Sequence, residues 1–350
     1  HAHPVFMESR LQEFEQRILG RSYEEIAAHG GGILSTVRKV RAATQDEVIQ
    51  AAIPRLWAFL KHGTTTLEAK SGYGLDLESE IKMLEAIRAL NGLTPLELVP
   101  TFLGAHEIPP EYRDAPQGYV HTLVHTILPE VARRGLAEYC DAFVEPQFFD
   151  LAAADAVFLA ARELGLKIRL HADQLSRSGA TRLGVRLGAV SIDHLEQIGE
   201  EEIRLMARSS ATAVLLPGSV YHLGRTLYPP ARRLIDAGVP VALATDFNPG
   251  SSPVWNMQMI LSLACTQMRM TPAEAVVAAT MNGACALGRG DRCGSLEAGR
   301  QADVCILDVS DYREIPYYFG VNHCRMVFKH GRMIYQNDCA MDSTSPSHRA

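Results

Sequence analysis

The sequence predicts a (β/α)8 barrel of the TIM type, followed by a small β-rich portion. Three observations point there. Short apolar runs without polar alternation recur seven times between helical patterns, the habit of strands covered on both faces in parallel sheets. Several of these runs end abruptly in His or Asp, and in such folds chemistry collects at the carboxyl ends of strands. After the seventh run the pattern changes to a helical stretch and then to isolated short strands. The most telling run is Val239-Pro-Val-Ala-Leu-Ala-Thr-Asp246-Phe-Asn248-Pro-Gly250-Ser251-Ser-Pro253, which carries a buried-strand pattern straight into a carboxylate and a Gly/Pro-rich loop. Alone, an Asp followed by Asn-Pro-Gly reads as a turn; the other strand-end residues make it a candidate pocket. The expected division is residues 1–290 for the barrel, 291–338 for a small β-sandwich-like portion, and 339–350 for a disordered tail.

In chain order, His1-Ala-His3 comes first, without an initiator Met or a strand in front of it. Residues at i and i+2 of an extended segment point the same way, so the pair can grip one ion if a strand carries it. The expectation is that a first barrel strand lies upstream of residue 1. It follows that a gap should separate the strands ending near Lys70 and Asp246, and that the β-rich portion should show unpaired edges. Arg10 to Gly32 begins irregular, forms a short helix around Tyr23-Glu-Glu-Ile, and ends in three glycines that serve either a ligand or a flexible loop. Thr44 to His62 is a helix with a capping box, Thr44 and Glu47, and a kink expected at Pro54. The strand Thr64–Lys70 leads into Ser71-Gly-Tyr73-Gly74, a pocket-lining loop or a tight turn. Helix 78–90 and strand 96–102 follow, the latter ending at His106. The alternation continues with helix 120–134, strand 140–145, helix 152–164, strand 167–170, helix 178–187, a strand ending at His194, helix 200–208, strand 212–216, helix 231–237 and the strand before Asp246. Seven βα units are the eight of a barrel less its first strand. A doubly wound open sheet competes, and the lack of a G-x-G-x-x-G after the first strand weakens its dinucleotide-binding form. Residues 255–287 are largely helical, with Thr271-Pro-Ala-Glu274 a clear start, and short strands lie at 304–308 and 324–335.

With 47% apolar residues and a formal net charge of −6, the chain is globular and offers no basic patch for nucleic acid or an anionic membrane. A small-molecule partner is expected. Seven scattered cysteines, none in a C-x-x-C pair, indicate neither a disulfide framework nor a thiolate zinc site, and fit the reducing cytoplasm.

The strand-end residues assemble a candidate metal site: His1 and His3, His171 of His171-Ala-Asp173-Gln174, and Asp246. Neutral imidazoles with one carboxylate suit zinc or iron and leave a position for a water of raised acidity. His194, from a further strand, and Asp246 can then move the proton.

At this point the sequence resembles the amidohydrolase superfamily and, within it, the imidazolonepropionase family. The resemblance runs almost end to end, through His1-x-His3, Gly30-Gly-Gly-Ile, Lys70-Ser-Gly-Tyr-Gly-Leu75, Leu103-Gly-Ala-His106, His171-Ala-Asp, Asp193-His194-Leu, Ala244-Thr-Asp246-Phe-Asn-Pro-Gly250 and Gly294-Ser-Leu-Glu-x-Gly. The Lys70–Leu75 string discriminates best, since amidohydrolases in general share only the metal pattern. The resemblance implies opening of the ring amide of 4-imidazolone-5-propanoate to N-formimidoyl-L-glutamate, and a homodimer. It implies metal ligands His1, His3, His171 and Asp246, and substrate contacts from Arg10, Tyr23, Tyr73, His106, Asn248, Gly250 and Ser251. An Arg suits a propanoate because its planar fork meets a carboxylate with two charge-assisted hydrogen bonds. Where some family members carry Glu three residues after the third His, this chain has Gln174. An amide cannot act as a base, so Gln174 can orient water or substrate only, and the proton shuttle falls to Asp246 and His194. Two other readings stay open: another amidohydrolase, such as a ring aminohydrolase, and an inactive fragment lacking its first strand.

Overall fold

The computed structural model describes residues 1–21, 25–26 and 30–337. Seven parallel strands run in sequence order through one curled sheet: β1 Thr66–Lys70, β2 Glu97–Ala105, β3 Tyr139–Val144, β4 Lys167–Ala172, β5 Ser191–His194, β6 Thr212–Leu215 and β7 Val241–Leu243. Register sets the functional rim. His171 pairs with Phe143 on one side and Asp193 on the other, and Ala172 with His194, so the polar strand ends come level.

The helices between strands form where the sequence provides both a start and a buried stripe. Thr44 and Glu47 make a capping box at the head of helix Gln45–Lys61, which continues through Pro54. Asp76 and Asp150 cap the helices that begin at Leu77 and Leu151, and Thr271 and Glu274 form a second capping box. The helix expected over 120–134 is interrupted by a π-helical turn, Leu123–Ile127, between Pro116–Thr122 and Leu128–Arg133. Pro129 brings no N–H to the carbonyl four residues back, and the helix widens ahead of it.

Four α-helices stand where none was expected: Leu11–Ile18, Ile33–Ala42, Pro217–His222 and Glu314–Tyr317. Leu11–Ile18 is helical where irregular chain was expected; Leu11, Phe14 and Ile18 share one face, but that face buries nothing and Arg10 gives no side-chain cap to mark a start. Pro217–His222 follows β6 directly, and its Pro at the first helical position is the signal that marks it. Tyr23 and the rest of 22–24 lie outside the described residues, as does the expected tail, 339–350.

The small sheet is antiparallel, in the order β10-β9-β8: β8 Val304–Leu307, β9 Cys324–Lys329 and β10 Arg332–Gln336. His330 and Gly331, at φ of 50° and 75°, link β9 to β10 in the pattern of a type I′ turn.

The strands at the two ends of the curled sheet, β1 and β7, do not pair with each other. At their carboxyl ends residues 1–3 bridge them. Lys70 N donates to Ala2 O (3.1 Å), Asp246 N to His1 O (3.0 Å), and His3 N to Phe247 O (2.7 Å). His1 and His3 therefore stand on a hydrogen-bonded segment rather than a loose end, and Arg55 holds the residues after it through Pro4 O and Met7 O. Below this bridge, the expected gap is a cavity of about 540 Å³, walled by Thr65–Leu67 and Ala242–Ala244. Among the described residues, seven non-glycine residues have positive φ, and five of them stand at the carboxyl rim: Leu75, Asp173, His194, Leu195 and Asp246. Backbone strain is thus concentrated at the end that carries the polar cluster.

Candidate metal centre

The bridging segment 1–3 is extended, so His1 and His3 project to the same side, and their rings lie 5.3 Å apart. His171 ends β4, His194 ends β5, and Asp246 follows β7. His1 Nε2 and His3 Nε2 stand 3.5 Å and 3.6 Å from Asp246 Oδ1. The His1 ring is 4.4 Å from that of His171 and 5.5 Å from that of His194, centroid to centroid. The nitrogens of His1, His171 and His194 lie within 4.8 Å of one another, and so do the donor atoms of His1, His3 and Asp246. His1 is common to both groups, and every member is buried.

The far sides of two of the rings are tied to carboxylates. His1 Nδ1 meets Asp193 Oδ2 at 2.6 Å, and His171 Nδ1 meets Asp141 at 3.1 Å. Each contact turns Nε2 inward and fixes the tautomer that leaves it a lone pair, the arrangement that orients metal-bound histidines. His194 Nδ1 faces Glu196 Oε1 at 3.3 Å, while Glu196 Oε2 has no partner. Burial, with His106 and His171 close by, holds His3 well below the usual histidine range. Burial likewise lowers His106 to about 3, so both imidazoles are neutral. Burial raises the Asp246 carboxyl, against the pull of His194 and His171. Burial pulls His194 down, but Glu196, Asp246 and Asp193 together raise it above the usual histidine value.

The donor set fits a divalent metal. His1 Nε2 is a buried nitrogen without a hydrogen-bond partner, aimed at a carboxylate and beside other neutral imidazoles. A cation of the zinc or iron type satisfies such a group.

Beneath the cluster runs a second layer that sequence reasoning missed. Lys70 Nζ sits 2.9 Å from Glu68 Oε1 and 2.6 Å from Asp141 Oδ2; Arg169 Nη1 reaches Glu68 Oε1 at 2.7 Å, and the Thr101 hydroxyl donates to the same oxygen at 2.5 Å. All are buried. Burial opposes ionisation of Asp141, but His171 and Lys70 prevail and hold it below the usual carboxylate range. The available signal is alternation: Glu68-x-Lys70 and Arg169-x-His171 put charges on one face of otherwise apolar strands.

Around the cluster, the Tyr73 ring lies 6.0 Å from that of His3 and 5.3 Å from that of His106, whose Nδ1 is bonded to Gly72 O. A Cβ on Gly72, at φ 96°, would stand 2.7 Å from Leu103 O, so only glycine lets this loop lie against β2. Asn248 organises the loop after β7. Its amide nitrogen donates to Asp246 O and Ser251 Oγ, and its carbonyl oxygen accepts from the N–H groups of Gly250 and Ser251. Arg10 packs against Gly250 and pairs with Glu13, which also accepts from Gly32 N and the Ser35 hydroxyl. Gln174 lies two residues beyond the end of β4. It lines a small crevice with Glu196, Gln197 and Ser219, on a loop whose N–H groups at 174, 175 and 176 all donate to Glu145 Oε1.

Comparison with known proteins bears on the family and the fold. An amidohydrolase family model matches residues 16–335. The chain is 51% identical over 336 residues to the imidazolonepropionase of Solibacter usitatus (strain Ellin6076), covering 96% of this chain and 80% of the relative. It is 46% identical over 334 residues to that of Geobacillus thermodenitrificans (strain NG80-2), covering 95% and 78%. Among solved structures, a zinc-bound adenosine deaminase from Xanthomonas campestris matches with a TM-score of 0.65 at 22% identity, covering 85% of this chain and 72% of that one. Guanine deaminase of E. coli matches with a TM-score of 0.68 at 16% identity, covering 87% and 78%. These likenesses carry the fold alone, whereas the family model and the sequence relatives carry the family: the chain belongs to the amidohydrolase family, alongside the imidazolonepropionases.

Proposed function

We propose that this chain is a metal-dependent hydrolase that opens the ring amide of 4-imidazolone-5-propanoate to N-formimidoyl-L-glutamate. The observation that supports the chemistry is the pair of overlapping donor groups, His1 with His171 and His194 and His1 with His3 and Asp246, at the carboxyl rim of the sheet, with His1 Nε2 left without a hydrogen-bond partner. His1, His3, His171 and Asp246 would hold a divalent metal, for which imidazole and carboxylate donors accept zinc or iron alike. A metal bound there supplies Lewis acidity, polarising the scissile carbonyl and acidifying a water.

The chain's own residues do the rest. Asp246, placed beside Nε2 of both His1 and His3, takes the proton from the attacking water. His194, held by Glu196, stands across the site to steady the developing oxyanion and to pass a proton to the departing ring nitrogen. Arg10 receives the propanoate carboxylate, with Tyr73, His106 and the Asn248–Ser251 turn forming the pocket wall; Tyr23 belongs to the same reading. Gln174, an amide on a side loop, orients rather than deprotonates. A nucleobase substrate, as in a ring aminohydrolase, would leave Arg10 without a carboxylate to meet. No helix among the described residues is long and apolar enough to cross a membrane. We read the chain as a cytoplasmic homodimer acting on a free small molecule.

The test is ultraviolet-monitored turnover of imidazolone propanoate, with metal analysis of the purified protein. Metal near one equivalent per chain and loss of the imidazolone absorbance support the reading. Bound metal with no turnover of this substrate, but deamination of a ring amine, overturns the substrate assignment.

A further inference from the structure

Away from the polar cluster, two thiols face each other across the small sheet. Cys305 lies on β8 and Cys324 begins β9, and their Sγ atoms are 3.6 Å apart in a thiol–thiol contact. The register explains the meeting. Cys305 pairs with Val327, and Leu307 with Cys324, so the two cysteines share one face as diagonal neighbours, drawn together by the irregularity between Ile306 and Leu307. Cys324 is fully buried, whereas Cys305 is half-buried and forms part of the wall of the 540 Å³ cavity. The turn that leads into β1 lies on the pair: a Cβ on Gly63, at φ 97°, would stand 2.6 Å from Cys305 Sγ, so glycine is what lets that turn approach the thiols.

We propose that Cys305 and Cys324 form a reversible dithiol–disulfide couple, a modification site independent of the metal centre and of the hydrolase reading. Access sets the order of events. A peroxide meets the half-buried Cys305 first; its sulfur attacks one peroxide oxygen, the O–O bond breaks, and the departing hydroxide takes up the thiol proton, leaving a sulfenic acid and one water. Cys324 Sγ then attacks Cys305 Sγ, the S–S bond forms, and hydroxide leaves to take up the Cys324 proton as a second water. Two thiols are oxidised and one peroxide is reduced to two waters. Cys324 Sγ already touches Cys305 Sγ, which places it to resolve the sulfenic acid. A dithiol, such as dithiothreitol, returns both thiols by exchange. Closing the bond draws the sulfurs from 3.6 Å to about 2.05 Å, a rotamer-scale adjustment of side chains already on one face.

The test is peptide mapping of the purified full chain under non-reducing conditions, before and after exposure to hydrogen peroxide. The expected product is a Cys305–Cys324 linked peptide, lighter by about 2 Da than the two thiols and released by dithiothreitol. Cys324→Ser should abolish that peptide and leave Cys305 as sulfenic acid, trapped by a dimedone probe. A melting-temperature rise of a few degrees on oxidation, absent from the variant, is the second expected result, because the bond closes a loop in the unfolded chain. Irreversible oxidation of Cys305 with no link to Cys324 overturns the proposal, and so does a link to Cys339 or Cys285 instead. The wild-type mapping decides the matter even if the variant does not fold.

Discussion

His1 Nδ1 lies 2.6 Å from Asp193 Oδ2, while Nε2 of the same ring faces Asp246 without a hydrogen-bond partner. One carboxylate thereby decides which nitrogen of the ring is free to bind. Asp193→Asn should weaken metal binding by about 10- to 100-fold, the usual cost of removing a carboxylate behind a ligating imidazole. Competition against a chromophoric chelator measures it. Unchanged affinity would show that His1 is oriented by its backbone alone.

Asp246 stands within 3.6 Å of two imidazole nitrogens and also receives a bond from Asn248. Asp246→Asn should remove both a ligand and the proposed proton acceptor, lowering kcat by a factor on the order of 10³ or more and releasing metal. Asn248→Ala leaves the carboxylate in place but frees its loop, so its loss should fall in KM more than in kcat.

Arg10 is paired with Glu13 rather than free. If it binds the propanoate, Arg10→Ala should raise KM and cost on the order of 2 to 5 kcal/mol in kcat/KM. Glu13→Gln should lower KM, because the guanidinium no longer has to exchange one carboxylate for another. Steady-state kinetics on both variants separate the cases, and unchanged KM in both removes Arg10 from the site.

Lys70 holds two buried carboxylates, Glu68 and Asp141. Lys70→Met keeps the length of the side chain and removes the charge, leaving the acids facing each other across a site closed to water. A loss of about 3 to 5 kcal/mol in urea unfolding is expected, since breaking a buried pair exposes an uncompensated charge.

Glu107 follows His106 and borders a second cavity, of about 730 Å³. Burial raises its carboxyl from 4.5 to about 7. Between those two values the folded state binds a proton that the unfolded state has released, so stability falls as pH rises through the window and is level above it. The fall is on the order of 3 to 4 kcal/mol at most. Glu107→Gln should flatten it, as the difference between wild-type and variant urea midpoints at about pH 5 and about pH 7.5 will report.

Much of this was legible in the sequence. The seven strands read correctly because both of their faces are buried and their composition shows it, and the histidines stood out because they interrupt apolar runs at strand ends. The anchors were not legible, because their meaning is a distance between strands. His1 and Asp193 are 192 positions apart, and His171 and Asp141 are 30. Nothing local distinguishes such an Asp from one that caps a helix. Helix Leu11–Ile18 was missed for another reason: Leu11, Phe14 and Ile18 do share one face, but three apolar residues among polar ones, with no cap ahead of them and no burial, make a weak signal.

The twisted backbone at the rim bears on how this chain can change over generations. Leu75 and Leu195 are fully buried in left-handed conformation. A glycine at either place would relax the backbone by about 1 kcal/mol, yet emptying the space of a buried leucine costs about 3 kcal/mol or more. Any other side chain keeps the torsion and loses the fit. Drift away from leucine is uphill in both directions, so neutral variation is barred from the rim and channelled into the outer helices. Descendants of this chain can diverge widely in surface while inheriting the reacting end almost unaltered.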